Sequence, residues 1–309
     1  MKNILLIPLI FLISSCGIVP KRATRSNVAV KDTPYFARGA NGSLKKRIMI
    51  LPFLDEKLQR SQKVRDVARK ALVRELLRTR NFVIIRNDDF PQDIAKFLTE
   101  DNEYDLKKIA KVAAGIGVSS VIEGKILEVR AKRLGDQVGL FREITAKVDT
   151  SVRIRMVSSK NSQIVLNDVR KASVEAKTTR VAEYSFTDRY LEEDPKLVRQ
   201  VVVRAFRGAI GNIIRAVDKI NWEGRVAMVT GDRIFLNAGR LSGIQIGDIL
   251  KVTDEGKEVF DPDSGLFIGF APGRMKGTLE VISYFGKDGA ISLVHSGSGF
   301  QENDRVEIY

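Results

Sequence analysis

The chain has 309 residues, of which 44% are hydrophobic and 29% are charged, with a formal net charge of +14. This length allows two domains with buried cores, and the hydrophobic fraction is that of an ordinary globular protein. The sequence contains no apolar run long enough for a transmembrane helix, which needs roughly eighteen residues or more. Because Cys16 is the only cysteine, an internal disulfide and a multi-cysteine metal site are excluded.

The N-terminus carries the pattern of an export signal. An apolar run over residues 4–13 follows Lys2 and is too short to span a bilayer, which predicts a signal peptide over residues 1–15. Small residues precede Cys16, and its thiol can accept a diacylglycerol. The segment 13–16, Ile-Ser-Ser-Cys, resembles the bacterial lipobox, which implies cleavage before Cys16 and a lipid on that cysteine. The alternative is an ordinary secretory signal with a chance cysteine.

The residues after the cysteine predict the address and a tether. Gly17 is not an aspartate, so the resemblance to lipoproteins implies the outer membrane, with the body of the protein in the periplasm. Two or three acyl chains give stable anchoring where one chain is marginal. Scattered prolines, glycines and basic residues predict a lipidated, flexible tether over residues 16–44.

Hydrophobic periodicity from residue 45 predicts alternating strands and helices. Strand, helix, strand, helix and strand in that order are typical of an α/β layer fold. The Gly115 and Gly117 pair lacks the third glycine of a dinucleotide loop and is predicted to end a helix. The predicted elements are a strand over 47–53, a helix over 61–79, a strand over 82–85, a helix before Gly115 and a strand from 118.

Residues 138–156 alternate between apolar and polar side chains over an unusually long stretch, and a return strand follows over 164–178. Arg142, Arg170 and Arg180 fall on the apolar faces of this region, where a lipid-facing arginine would cost about 2–4 kcal/mol at the membrane midplane. Two interpretations stay open: strands that line a pore or a subunit interface, or a half-buried sheet that packs on helices or on neighbouring subunits. One long helix over 197–217 is predicted to close the domain.

From Trp222 onward, closely spaced turn signals between short apolar runs predict a small barrel. This part has nine Lys and Arg against thirteen Asp and Glu, a net charge of −4, so the remainder carries +18. An exported protein does not meet chromosomal DNA or ribosomal RNA, so no nucleic-acid partner is expected. The basic part faces anionic phospholipid or an acidic partner, or is simply a solvated surface. The predicted fold class is α+β: a three-layer-like α/β core with long antiparallel strands, then a small all-β barrel.

Three features together resemble the family of the curli-secretion lipoprotein CsgG. They are the lipidated cysteine, the strand 48–53 (IMILPF) and the run 118–124 before Lys125, followed in order by 150–166 and the long helix. The resemblance covers residues 45–221 and, with the anchor, begins at Cys16. It implies a homo-oligomeric ring whose subunits contribute amphipathic hairpins to an outer-membrane barrel.

Residues 222–309 resemble the C-terminal domain of the flagellar assembly protein FlgT. The residues that carry this resemblance are 224–226 (GRV), 237–239 (NAG) and 243–252 (GIQIGDILKV). CsgG-like proteins are not expected to have such a domain, which is predicted to dock a periplasmic protein partner.

Two functional hypotheses follow. The first is a non-catalytic, outer-membrane-anchored ring that serves export or assembly of a surface appendage. The second is a periplasmic adapter without a pore, either a flagellar basal-body ring component or an activator of a peptidoglycan synthase, since both kinds of lipoprotein share the core that the resemblance implies.

The sequence offers no catalytic set, metal site or cofactor site. The lone histidine, His295, lies in a β stretch and is predicted to be structural or superficial. The turn 261–265 (DPDSG) lacks the glutamate that ends a calcium loop and is predicted to be a proline-led turn. The acids 88–89 and 192–194 are predicted to cap helices or lie in solvated loops. Cys16 is therefore the one candidate site residue.

Overall fold

The structure is a computed structural model that describes residues 44–57, 60–135, 143–179 and 194–309. The predicted signal peptide, Cys16 and the rest of the tether up to residue 43 lie outside the described residues. The predicted α+β class is confirmed, because a mixed sheet with helices is followed by a closed antiparallel barrel.

The first part of the chain forms a six-stranded sheet in the order β3-β1-β4-β5-β6, with the short β2 paired to β4. β1 pairs in parallel with β3 and β4, whereas β4, β5 and β6 are antiparallel and sixteen residues long each. The long strands therefore extend well beyond β1. The strands are β1 (Lys46–Ile50), β2 (Leu54–Asp55), β3 (Phe82–Ile85), β4 (Ser120–Gly135), β5 (Glu143–Ser158) and β6 (Ile164–Thr179).

Helices cover both faces of this sheet and make three layers. One core joins the sheet to three helices. A second core joins its other face to one helix, to the 3-10 turn Ile94–Phe97 and to Phe90, which follows the 3-10 turn Asn87–Asp89. On the first face lie α1 (Gln62–Arg78), α3 (Pro195–Arg207) and α4 (Ile210–Asp218); on the second lies α2 (Leu106–Gly115).

The single closing helix predicted over 197–217 is wrong in one respect. Helix α3 ends at Arg207 with Gly208 as its C-cap, and helix α4 begins at Ile210. Glycine is a poor helix former because it loses the most backbone entropy on ordering. The apolar spacing continues through the break, so periodicity alone did not reveal it.

The apolar face of β5 is covered by the chain's own helices. Val148, Val152, Ile154 and Met156 are fully buried in the same core as α1 and α3. Residues 138–142 of the predicted strand lie outside the described residues. The described part that carries these four side chains packs as a half-buried sheet on helices of its own chain. Its physical reason is that an apolar face must be covered, and α3 packs directly across β5 and β6.

One of the arginines predicted on an apolar strand face is neutralised locally. Arg170 of β6 donates from Nε to Asp168 Oδ2 over 2.7 Å, and Asn212 of α4 donates to the same oxygen over 2.7 Å. The charge is thus paired beneath a helix. Arg142 and Arg180 lie outside the described residues.

The second part of the chain is a six-stranded barrel closed in the order β12-β13-β8-β7-β14-β9. Its core contains Trp222, Leu250 and Leu279. Leu44, which the sequence placed in the tether, packs against this core. The strands are β7 (Gly224–Thr230), β8 (Arg233–Leu236), β9 (Ile249–Thr253), β10 (Glu258–Phe260), β11 (Phe267–Phe270), β12 (Met275–Phe285), β13 (Gly289–Gly297) and β14 (Arg305–Ile308); β10 and β11 form a separate two-stranded ribbon.

Within the described ranges, no helix is both long enough and apolar enough to cross a membrane.

Candidate docking surfaces

Polar contacts fix the barrel to one end of the sheet. Arg47 at the start of β1 donates to the carbonyl oxygen of Asn237, and its Nη1 lies 4.0 Å from Asp288 Oδ2. Lys45 N donates to Ser242 O over 2.9 Å. Burial lowers the pKa of the Arg47 guanidinium, while the Asp288 carboxylate acts in the opposite direction. A buried charge is tolerated only where it is paired, so these partners hold the two parts of the chain in register.

A glycine allows the closest approach at this junction. Gly117 follows α2 with φ at +73°, and an added Cβ would lie 2.3 Å from Asn237 Nδ2. Asn237 in turn donates to Ile116 O over 3.3 Å and accepts from Arg225 N over 2.9 Å. The amide therefore links the end of α2 to barrel strand β7.

The turn between β5 and β6 makes a second contact with the barrel. Lys160 Nζ lies 2.6 Å from Glu223 Oε1 and 3.5 Å from Glu307 Oε1. Arg305 Nε lies 3.2 Å from Glu223 Oε2. A partly buried network of this kind fixes orientation better than an isolated surface pair.

A cavity of about 590 Å³ lies beside this junction. It includes Trp222, whose buried indole nitrogen has no hydrogen-bond partner among the described residues, and Lys46, which donates to Val217 O over 2.7 Å. Its lining mixes apolar and polar side chains from both parts of the chain: Leu44, Lys46, Asn81, Phe82, Asp218, Ile220, Asn221, Trp222, Glu307 and Ile308.

The β10–β11 ribbon is an exposed apolar surface. β9 and β12 pair in the barrel, and the chain between them leaves the barrel as this ribbon. The exposed fractions are 39% for Val259, 50% for Phe260, 69% for Leu266 and 58% for Ile268. Exposed apolar side chains that cluster in this way mark interaction sites, whereas scattered ones need no explanation. We call residues 258–270 the ribbon surface.

The tip of the ribbon surface is an ordered acidic turn. Asp261 Oδ1 accepts hydrogen bonds from Ser264 N, Ser264 Oγ and Asp263 N over 2.7–3.1 Å. The hydrogen bond from the Ser264 backbone N–H, and after it the one from the Ser264 hydroxyl, hold the pKa of Asp261 below its ordinary value. Asp261 and the exposed Asp263 therefore carry negative charge at the end of an apolar ribbon.

The base of the ribbon is held to both parts of the chain. Lys111 of α2 lies 2.6 Å from Glu258 Oε1, and Arg225 of β7 lies 3.7 Å from Glu255 Oε1. At Gly256 the segment that enters the ribbon and the segment that leaves it approach so closely that an added Cβ would lie 1.8 Å from Ala271 O. The ribbon therefore leaves the barrel at a defined point.

A buried ion pair lies on the α2 face of the sheet. Arg155 of β5 donates to both carboxylate oxygens of Glu123 of β4 over 2.9 and 2.7 Å, and the Glu123 side chain is 1% exposed. Tyr104 N donates to the same carboxylate over 3.1 Å. Burial first, and then the Glu123 charge, raises the pKa of Tyr104 to about 12. The carboxylate has its hydrogen-bonding partners, so this cluster has the features of a structural clamp.

The candidate residues from the sequence lie in different places in the structure. His295 is exposed, and its Nδ1 lies 3.0 Å from Thr278 Oγ1. Asp194 caps α3, and Asp89 accepts from Arg86 N at a 3-10 turn, as predicted. The turn at 261–265 is a turn, as predicted. No group of three or more His, Cys, Asp or Glu in the described part of the chain could hold a metal ion.

Sequence reasoning missed the ribbon surface. The turn at 261–265 was recognised, but the apolar residues on both sides of it were not treated as exposed. One feature of the sequence could have indicated the exposure. The two apolar runs flank a polar turn between predicted barrel strands, and they are too short to form a second core.

No protein-family model and no curated protein matches the sequence. Solved structures match part of it. A hypothetical protein of Chlamydia trachomatis is 15% identical, with 56% of this chain and 98% of that chain covered and a TM-score of 0.36. Lipoprotein GNA1162 of Neisseria meningitidis is 12% identical, covering 56% and 95%, with a TM-score of 0.29. The LpoB C-terminal domain of Salmonella enterica is 7% identical, covering 45% and 85%, with a TM-score of 0.26. Bacterial lipoproteins are thus among the structures that this chain resembles.

Proposed function

We propose that the chain is a non-catalytic lipoprotein, anchored through Cys16, that works as a periplasmic adapter and docks a protein partner on the ribbon surface. The observation that carries the proposal is the exposed apolar ribbon on a barrel whose orientation is fixed by buried contacts. Membrane insertion of the ribbon is disfavoured, because the tip carboxylates would enter a low-dielectric phase. A protein with an apolar surface beside basic residues fits the ribbon better.

Site-specific photo-crosslinking in the native host tests the docking. A benzophenone amino acid at Ile268 is expected to give a discrete adduct, whereas the same probe at Met228, 42% exposed on barrel strand β7, is the matched control. Asp263→Lys, which reverses an exposed charge and leaves the hydrogen bonds to Asp261 in place, is expected to weaken the Ile268 adduct without changing the melting temperature. Equal adducts at both positions, or an Ile268 adduct that the charge reversal does not weaken, would contradict the proposal.

The anchor has its own test. Cys16→Ser is expected to release the protein from membranes that are washed with about 0.5 M salt, while the lipidated protein stays attached, since the lipid supplies an attachment that salt does not screen. Membrane attachment of this variant that survives the salt wash would remove Cys16 from the proposal.

A homo-oligomeric ring for export or appendage assembly is the second candidate. Strand β6 ends the sheet, and among the described residues no strand pairs with its outer edge. Ile164, Val165 and Val169 of this strand are 49%, 37% and 50% exposed. A long edge with exposed apolar residues is a template for pairing with another chain. Particles of one subunit in mild detergent, seen by light scattering and negative-stain microscopy, would remove this candidate.

A further inference from the structure

The outer surface of the layer formed by α1, α3 and α4 is strongly basic. These helices contain eleven Lys and Arg against three Asp and Glu. Of the three acids, Glu75 is already paired with Arg78 and Arg207, at 3.1 and 3.0 Å. The exposed basic residues, which we call the basic helix layer, are Lys63, Lys70, Arg74, Arg78, Lys196, Arg199, Arg204, Arg207 and Arg215.

Helix stability explains only part of this charge arrangement. The arginines in the last turns of the three helices are favoured by the helix dipole; they are Arg78, Arg204, Arg207 and Arg215. Lys70 and Arg74 lie at four-residue spacing, where like charges repel, and Lys196 and Arg199 lie near the N-terminus of α3, where the dipole disfavours cations. An external anionic surface would compensate for these four.

We infer that the basic helix layer binds the surface of an anionic phospholipid bilayer. The charges are spread over three helices that pack on one face of the sheet, and α1 alone extends about 25 Å, so the array is broad. Among the large apolar residues of these helices, Leu77 is exposed, at 49%, which favours electrostatic attraction over insertion. The inference extends the proposed function by orienting the anchored body with its helices toward the membrane, but it does not require the lipid on Cys16.

Vesicle co-sedimentation of the full chain with Cys16→Ser tests the inference without the anchor. The protein is expected to bind vesicles with about 30 mol% phosphatidylglycerol at low salt and to dissociate from them near 0.5 M salt. It is expected not to bind vesicles of pure phosphatidylcholine. Lys70→Glu, Arg74→Glu, Lys196→Glu and Arg199→Glu together are expected to weaken binding by about 100-fold or more.

The matched control reverses four exposed basic residues elsewhere. Lys107→Glu, Arg130→Glu, Lys132→Glu and Lys171→Glu change the formal charge by the same amount, from α2 and from the long strands. This variant is expected to keep most of the binding. An equal loss in both variants would mean that net charge alone attracts the protein, and this would overturn the inference, as would no binding or equal binding to neutral vesicles.

A second measurement does not depend on the fourfold variant folding. With Cys16→Ser, a single fluorophore can be placed by Lys70→Cys or by Lys132→Cys. Vesicles whose lipids carry a quencher on the headgroup are expected to quench the probe at position 70 and not at position 132. The reverse pattern would place the strands against the bilayer and overturn the inference. Failure of either test leaves the crosslinking at Ile268 unaffected, so the two proposals fail separately.

Discussion

Buried charge dominates the chemistry at the scale of single residues. Glu123 accepts hydrogen bonds from Nε and Nη2 of Arg155 and from the backbone N–H of Tyr104. The third nitrogen of Arg155, Nη1, lies 2.8 Å from Glu103. Glu103 is the half-buried carboxylate of this cluster, with 27% of its side chain exposed. Burial alone would raise its pKa, but Arg153 and Arg155 outweigh burial and lower it. The two arginines therefore favour the ionised form of Glu103 on the α2 face of the sheet.

Removal of one partner of this pair is expected to be costly. Glu123→Leu should lower the free energy of unfolding by about 3 kcal/mol, because it leaves Arg155 with only the Glu103 carboxylate and the Tyr104 amide without its acceptor. Urea denaturation measures the change. Glu123→Leu with Arg155→Met should recover much of the loss, because it removes both charges from the interior. A double variant that is as unstable as the single one would contradict this account.

Tyr104 gives the protein a specific sensitivity to high pH. Its pKa is raised to about 12 from an ordinary value of 10.0, so between these values the unfolded chain loses a proton that the folded chain keeps. The free energy of unfolding should therefore fall as pH rises through this window, by on the order of 2 kcal/mol. Tyr104→Phe should remove that component. Lysine titration is common to both proteins, so the difference between their urea midpoints from pH 9 to 12 isolates Tyr104.

At the scale of elements, amphipathic spacing decides which side of a helix is essential. Leu72 and Leu77 lie on the same helix, yet the first is 1% exposed and the second 49%. Leu72→Ala should lower the free energy of unfolding by about 2–5 kcal/mol, since it leaves a cavity among α1, α3 and the sheet. Leu77→Ala should change it by less than about 0.5 kcal/mol. Similar losses for the two variants in urea denaturation would show that α1 does not pack as described.

The predicted elements from 47 to 124 correspond to β1, α1, β3, α2 and β4, because hydrophobic spacing encodes them directly. The break between α3 and α4 was missed, since Ile210 and Ile213 continue the apolar spacing across Gly208. The ribbon was missed for the opposite reason. Apolar runs predict burial, and Phe260 and Leu266 are exposed only because the ribbon leaves the barrel.

At the scale of the whole molecule, the junction determines whether the barrel and the sheet act as one body. Gly117→Ala should weaken it, because the added Cβ would collide with the Asn237 side chain. Calorimetry of this variant is expected to show two separated transitions in place of a single cooperative one. The barrel should also become easier to release by protease.

Gly231→Ala is the control for the junction. Gly231 also has a positive φ, +56°, but a Cβ there would meet no atom within 4 Å. Backbone strain is therefore present in both variants, and the collision only at Gly117. Identical calorimetric traces from the two variants would mean that strain, and not loss of the junction, causes any change.

The sequence by itself determined the order of strands and helices and the α+β class, and it predicts an export signal with a lipidated cysteine. These properties are local, because charge, residue size and hydrophobic period lie within short segments. Tertiary structure alone decided what covers each apolar face: α3 lies over Val148 and Val152, and no described residue covers Leu266 to the same degree. The hydrophobic effect is non-directional, so an alternating strand specifies that one face avoids water but not whether helices, lipid or another protein provide the cover.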